Sequence, residues 1–436
     1  MNQWYYWQET TANLADNRLE QSDVSSFLNK QPMTFFDTLL NEQDIFSYAI
    51  DDSNELRNDE SSKNNIYSIR RDMSAAIESN VLFDIICGCD CSKVWGVVKH
   101  VLPNSQASEK NIERGMWFDT VNSISLDNLA FDFNGYSNIF SGNTLTFRKV
   151  TLENIVGDCP SVSIGDEVSI NNVNTDTSII SHDDIITRNG KKIGYLMFLG
   201  FYDNNEIPLN NAFTKFMDNN ISDLIVDLRY NPGGLVRTAD SLIGMIAKSY
   251  AGRLAYKYKY NTKITEAYNS FSFDKYIPST LSNGQSINSI DIPNVYFITT
   301  DDTASASELV MFALQEFINV IVVGDTTFGK PFVSVTLYDE DNNGNINTEH
   351  TYAIQPIVAE IRKTDGSSGH YYEGLTPDYT IQERLLNLGQ LGSESEPLLQ
   401  QTLGIIDGST LESSSSRRKM DSSPEVFKKL KMFHKK

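Results

Sequence analysis

Between residues 191 and 324 the chain is written as near-continuous apolar runs separated by helix-like segments. In order these read KKIGYLMFLGF, LNNAFTKFMDNN, DLIVDL, TADSLIGMIAKSY, NVYFITT, ASELVMFALQEF and NVIVVG. Strand runs that lack polar alternation are buried on both faces, which requires a largely parallel sheet covered by further layers. The expected core is therefore α/β. A segment rich in Tyr, Asn and Ser from Gly252 to Asn294 interrupts the rhythm and reads as an insertion or β-excursion near the sheet edge.

At 436 residues the chain exceeds what one hydrophobic core sustains, so two or three units are expected. Residues 1–75 carry Trp4, Trp7, Phe35, Phe36, Leu39 and Leu40 at helical spacing and read as a small helical unit ending in the linker DDSNELRNDESSKNN. Strand-like runs such as VWGVVKHV and LTFRKVTL then mark a β-rich domain over 76–157. The stretch from Asp158 to Ile186 is polar and connecting. The α/β core is taken as 158–400, and residues 401–436 as a flexible tail. That tail follows Ser413–Ser416 with Arg417, Arg418, Lys419, Lys428, Lys429, Lys431, Lys435 and Lys436, a solvated basic cluster by composition.

A formal net charge of −21 argues against nucleic acid as partner, since phosphate binding needs clustered cations. No apolar stretch approaches a membrane span, and MNQWYYWQET lacks the basic and apolar regions of a signal peptide, so the chain is expected to be soluble. Cys87, Cys89, Cys91 and the distant Cys159 match no common zinc spacing. A structural role is expected for them. Metal binding with His100 as fourth ligand, or one disulfide to Cys159, stays open.

Three segments carry chemistry. Ser305 lies in TTDDTASASELVMFALQE, after a strand and at the start of a helix whose amides and dipole stabilise a developing oxyanion. The plainer role for such a serine is a helix cap. Lys330, in GDTTFGKPF, comes one helix and one strand later and so returns to the same sheet edge; Phe328, Pro331, Phe332 and Val333 offer the dry surroundings that neutralise an amine. In DLRYNPGGLVRTAD an apolar strand ends at Arg229, Asn231, Pro232, Gly233 and Gly234, where glycines allow close backbone approach. None of His100, His182, His350, His370 and His434 falls in a motif, so a Ser-His-Asp mechanism has no support.

DLRYNPGG, TASASE and TTFGK resemble the three core motifs of the tail-specific, or C-terminal processing, serine peptidases. YEGLTPDYTI, with Gly374, Pro377 and Asp378, is similar to that family's G-x-x-P-D segment. VLPNSQASEKNIERGMWFDTVNSISL resembles part of a PDZ domain, although the glycine-rich carboxylate loop is not evident in SNVLFDIICG. The resemblance implies a crotonase/ClpP-like peptidase core, an inserted PDZ-like domain, Ser305 as nucleophile, Lys330 as base, and an oxyanion hole from the amides of Ala306, Gly233 and Gly234. It places Glu308 and Glu316 as orienting acids, and needs no cofactor or metal. It further implies protein or peptide substrates and an extracytoplasmic location, periplasm or envelope, with a removed signal or lipid anchor. The aromatic start NQWYYWQE resembles mature ends of such peptidases in Bacteroidota-like bacteria. The departures are Pro331 for glycine and Ser334 where many members hold the lysine with glutamine. Ser334 is the feature that favours the rival reading, a non-catalytic peptide-binding scaffold. A crotonase-like acyl hydrolase or hydratase would need a coenzyme-A cleft, and no adenine- or phosphate-binding cluster is seen. Oligomeric state is not legible.

Overall fold

The computed structural model describes residues 4–9, 36–50 apart from 38, 428–429, and 81–408 apart from 89–91, 130–132, 141, 154–159, 172–179, 203–204, 269–271, 342–344 and 370. At its centre is a six-stranded sheet in the order Tyr379–Thr380, Asn319–Gly324, Asn294–Thr299, Asp223–Asp227, Lys191–Phe198, Ile180–Arg188. All neighbours are parallel except Ile180–Arg188, which runs antiparallel to Lys191–Phe198. Period-two alternation sorts the apolar runs between two cores. Leu196, Phe198, Leu224, Val226 and Phe297 face one way, and Ile193, Tyr195, Ile225 and Ile298 the other.

From Lys191–Phe198 to Tyr379–Thr380 the strands lie side by side in chain order. Right-handed crossovers along a sheet wound in one direction put every connecting helix on one face. Accordingly Glu206–Asn219, Val236–Ile246 and Ala306–Leu314 share the first core. The opposite face is closed by Leu399 and Leu403 of the helix Pro397–Ile406, together with Leu82 and Leu102 from the preceding β-rich unit. The α/β reading holds.

The β-rich unit is an antiparallel sheet in which Val81–Gly88, Lys93–Val101, Trp117–Val121, Thr144–Glu153 and Ser161–Asn171 pair in turn. A short helix Gln106–Glu109 and a turn at Gly115 sit between its second and third strands. Ser161–Asn171 carries this sheet past residue 157, into the stretch read as polar connection. Val162, Ile164, Val168 and Ile170 alternate with polar residues in it, a strand period that the polar reading of this stretch passed over; only Ile170 is buried, with Val168 half-buried beside it, and the ladder with Thr144–Glu153 satisfies the backbone of the exposed remainder. Cys87 is disulfide-bonded, which removes the first ligand of the metal reading; Cys89, Cys91 and Cys159 lie outside the described residues.

Within Gly252–Asn294, the β-excursion takes the form of Leu254–Tyr260 and Asp274–Tyr276, joined to Ile357–Arg362 and Phe332–Ser334 in a four-stranded antiparallel sheet. Most of the expected helical unit, and most of the basic tail, lies outside the described residues; the tail reading fails over 401–406, where the helix Pro397–Ile406 buries Leu403 and Ile406 in the second core. The described part of the former includes turns and the strand Tyr48–Ile50, paired antiparallel with Ala353–Gln355. Among described residues no helix is long and apolar enough to cross a membrane.

Candidate active site

Asp227, Ile298, Thr299 and Gly324 are in register at the carboxyl ends of adjacent parallel strands, so the segments that follow them emerge on one edge. The loop after Thr299 is stitched to the segment after Asp227. Thr303 Oγ1 donates to the Leu228 carbonyl at 2.9 Å, and the Asn231 carbonyl accepts from Ala304 N–H at 3.1 Å and Ser307 Oγ at 2.8 Å. These bonds hold Ser305 on a sharp turn at φ 56°, ψ −111°. A non-glycine residue there costs about 1–3 kcal/mol and persists only where its surroundings impose it.

Glu308, one turn into the helix Ala306–Leu314 and fully buried, joins the serine segment to the lysine segment. Its Oε2 accepts Ser305 N–H at 2.8 Å and Lys330 N–H at 2.9 Å, which holds those two nitrogens within about 6 Å of each other. Its Oε1 accepts Gly329 N–H at 2.8 Å and Thr327 Oγ1–H at 2.5 Å. Burial pushes the carboxyl above its ordinary range, and these four donors oppose that shift. Gly374 and Gly329 let the lysine loop close onto the Tyr371–Leu375 segment. A Cβ at Gly374 would stand 2.0 Å from the Thr327 carbonyl oxygen, and one at Gly329 2.4 Å from that of Tyr372. Asp378 pairs with Val322 through its own N–H and through Oδ2, each at 2.8 Å, anchoring the next strand.

Lys330 is 1% exposed. Burial lowers its amine from the ordinary 10.5 to about 8, against the opposing charges of Asp44 and Glu308. Its Nζ lies 5.9 Å from the centroid of the Phe46 ring, which also packs on Phe328 at 6.1 Å and Phe332 at 5.7 Å. Phe328 and Phe332 thus stand against the Phe46 ring on the dry side, which the N-terminal segment completes, while Val333 packs on the helical core. Ser334 Oγ accepts from Gln355 Nε2 at 3.3 Å, so a carboxamide does reach this position, from a different strand.

The glycine turn abuts the serine. A Cβ at Gly233 would lie 2.7 Å from Ala306 N and 2.9 Å from Ser305 Cβ, and its φ is 99°. Of the three expected oxyanion donors, Gly233 N–H already donates to Asn231 Oδ1 at 3.0 Å. Ala306 N–H belongs to the first helical turn, which has no intrahelical acceptor. Gly234 continues the turn and is bridged to Phe201.

Glu316 is not brought to this edge. The helix ends at Leu314, and Glu316 is exposed beyond it, accepting from Thr364 Oγ1 at 3.4 Å. At 1.5 Å rise per residue it sits on the order of 15 Å from the serine end. The described histidines are elsewhere: His100 bonds Ser181, His182 faces Asp184 and His350 faces Asp339. His370 and His434 lie outside the described residues. The sequence reading missed Asp44, Phe46 and Thr327, and it missed that Asn231 organises the glycine turn through backbone and side chain.

Comparison with known proteins finds relatives of one family. The model of Peptidase family S41 matches residues 192–381, and that of the Peptidase S41 N-terminal domain matches residues 1–48. A "Carboxyl-terminal-processing protease" of Picosynechococcus is 26% identical over 226 residues, 52% of this chain and 48% of its own length. The "Carboxy-terminal processing protease CtpA" of Bacillus subtilis is 26% identical over 185 residues, 42% of this chain and 34% of that protein. The chain thus spans about half or less of the length of these curated relatives. A crystal structure from Bacteroides fragilis assigned as an S41 protease superposes with a TM-score of 0.71 at 20% identity, covering 94% of this chain and 96% of that one, which shows the shared fold. The fold is α/β, and the matched models place the chain in a class of serine-type peptidases. Within that class, the chain belongs to peptidase family S41.

Proposed function

We propose that the protein hydrolyses peptide bonds through an acyl-enzyme, with Ser305 as nucleophile and Lys330 as general base. The observation that carries this reading is the shared carboxylate of Glu308, which accepts from the backbone N–H of both residues while Lys330 is buried and its amine depressed to about 8. A neutral amine is what a lysine base requires. Ser305 Oγ attacks the scissile carbonyl carbon as its proton passes to Lys330 Nζ. The oxyanion is received by Ala306 N–H and the Gly233–Gly234 turn, where Gly233 N–H exchanges its Asn231 partner for the stronger anionic acceptor. Collapse expels the amine with the proton from Lys330. Water then attacks the ester, giving its proton to Lys330, which returns one to Ser305 Oγ.

We read the one-directional sheet as a crotonase/ClpP-like core and the β-rich unit as a PDZ-like domain with its strand, short helix, glycine turn and strand. Protein or peptide substrates outside the cytoplasm, in periplasm or envelope, complete the reading. Casein hydrolysis and fluorophosphonate labelling are expected from the parent and are expected to vanish in Ser305→Ala. In Lys330→Ala hydrolysis falls by about 10³-fold or more. Labelling absent from the parent at every pH supports the scaffold, and full hydrolysis by Lys330→Ala overturns the base assignment.

A further inference from the structure

We propose that the N-terminal segment around Asp44–Phe46 is part of the lysine site, with Phe46 sealing Lys330 from water and Asp44 supplying an opposing charge. This rests on the reading of Lys330 as a functional amine, but concerns which residues set its state.

The segment is built into the core at several points. Tyr5 O accepts from Asn261 Nδ2 at 2.7 Å, Tyr6 N–H donates to the Ile357 carbonyl at 2.9 Å, and Ile357 N–H donates to Ser47 Oγ at 2.8 Å. Tyr6 OH bonds Glu360 Oε2 at 2.6 Å, and Tyr48–Ile50 extends a sheet edge. Between these anchors Asp44 is 6% exposed. Its Oδ2 accepts from Tyr5 OH at 2.7 Å, and its Oδ1 accepts from Phe46 N–H and Ser47 N–H at 2.9 Å each. Asp44 therefore fixes the backbone that presents Phe46, and the Phe46 ring closes the aromatic wall of Phe328 and Phe332 over Nζ. The charged groups acting on the amine are Asp44 from this segment and Glu308 from the helix Ala306–Leu314.

The two residues act on the ammonium with opposite sign. Removing the Asp44 charge withdraws stabilisation of the charged form, so the amine titrates lower. Truncating Phe46 admits water, whose solvation of an ammonium outweighs the lost ring attraction, so it titrates higher. Both are positioning and tuning residues, since neither is placed on the reacting atoms.

The test is direct titration of Lys330 in the full chain labelled with ¹³Cε-lysine, the signal assigned by its loss in Lys330→Met. A midpoint near 8 is expected in the parent. Asp44→Asn, which keeps the Oδ1 cap, moves it down by about one unit, and Phe46→Ala moves it up by about one unit. Phe46→Leu retains the dry wall and stays at or below the parent. Coincident midpoints, or shifts of the same sign in Asp44→Asn and Phe46→Ala, overturn the proposal. Opposed shifts alongside full hydrolysis by Lys330→Ala leave it standing and remove only the base assignment.

Discussion

Ser305 occupies a helix N-cap, and its place in the molecule depends on Glu308 more than on any other side chain. One carboxylate with four donors, three of them backbone N–H groups, is a demanding acceptor site. Glu308→Gln turns one side of the group into a donor facing donors. It is expected to lower stability by about 2–4 kcal/mol, read from urea denaturation, and to weaken fluorophosphonate labelling of Ser305 even where the fold survives. A loss below 1 kcal/mol with labelling intact would show that the carboxylate does not hold the two segments. The parent's kcat/KM should rise with pH through about 8, because Lys330 must lose its proton first.

At the scale of elements, the strand Asp223–Asp227 ends in two residues that look inward. Arg229, fully buried, donates to Asp227 at 2.9 and 3.0 Å and to Glu396 at 2.7 and 2.9 Å. Tyr230, at φ 62°, bonds Glu383 and accepts from Arg114 of the β-rich unit at 2.8 Å, while Lys99 lies 4.8 Å from its ring. Three elements thus meet in one buried ion network directly before the glycine turn. Arg229→Met leaves Asp227 and Glu396 without that cation and should cost about 3–5 kcal/mol in chemical denaturation. Burial raises the Glu383 carboxyl, but the charges of Lys99, Arg114 and Arg229 outweigh it and hold it well below the ordinary range. Its contribution is present above its unfolded value and is lost as pH falls. Glu383→Gln should therefore be less stable than the parent at pH 7 and lose less stability on acidification.

For the whole molecule, shared burial of Leu82 and Leu102 with the central sheet, together with that ion network, ties the β-rich unit to the core. All four tryptophans lie outside the central sheet, with Trp95 and Trp117 in the β-rich unit. Unfolding followed by tryptophan fluorescence and by far-ultraviolet circular dichroism should then coincide; separated midpoints would mean that the units melt independently. What was legible in advance follows from local signals. Apolar runs such as DLIVDL and NVIVVG announce buried parallel strands, and the serine, lysine and glycine turns are written at strand ends, so the α/β core and the residues of the candidate site are visible in order. Ser161–Asn171 was passed over although Val162, Ile164, Val168 and Ile170 alternate with polar residues, because its Ser, Gly, Asp and Glu content reads as a connection and only Ile170 is buried. Glu316 was misplaced because the resemblance put it with Glu308, although a helix running on from Ser305 carries it to the opposite end. The winding of the sheet in one direction, the use of Gly233 N–H by Asn231, and the arrival of Asp44 and Phe46 at Lys330 were decided only in three dimensions. Each depends on contacts between residues distant in the chain, and periodicity and turn chemistry report only on neighbours.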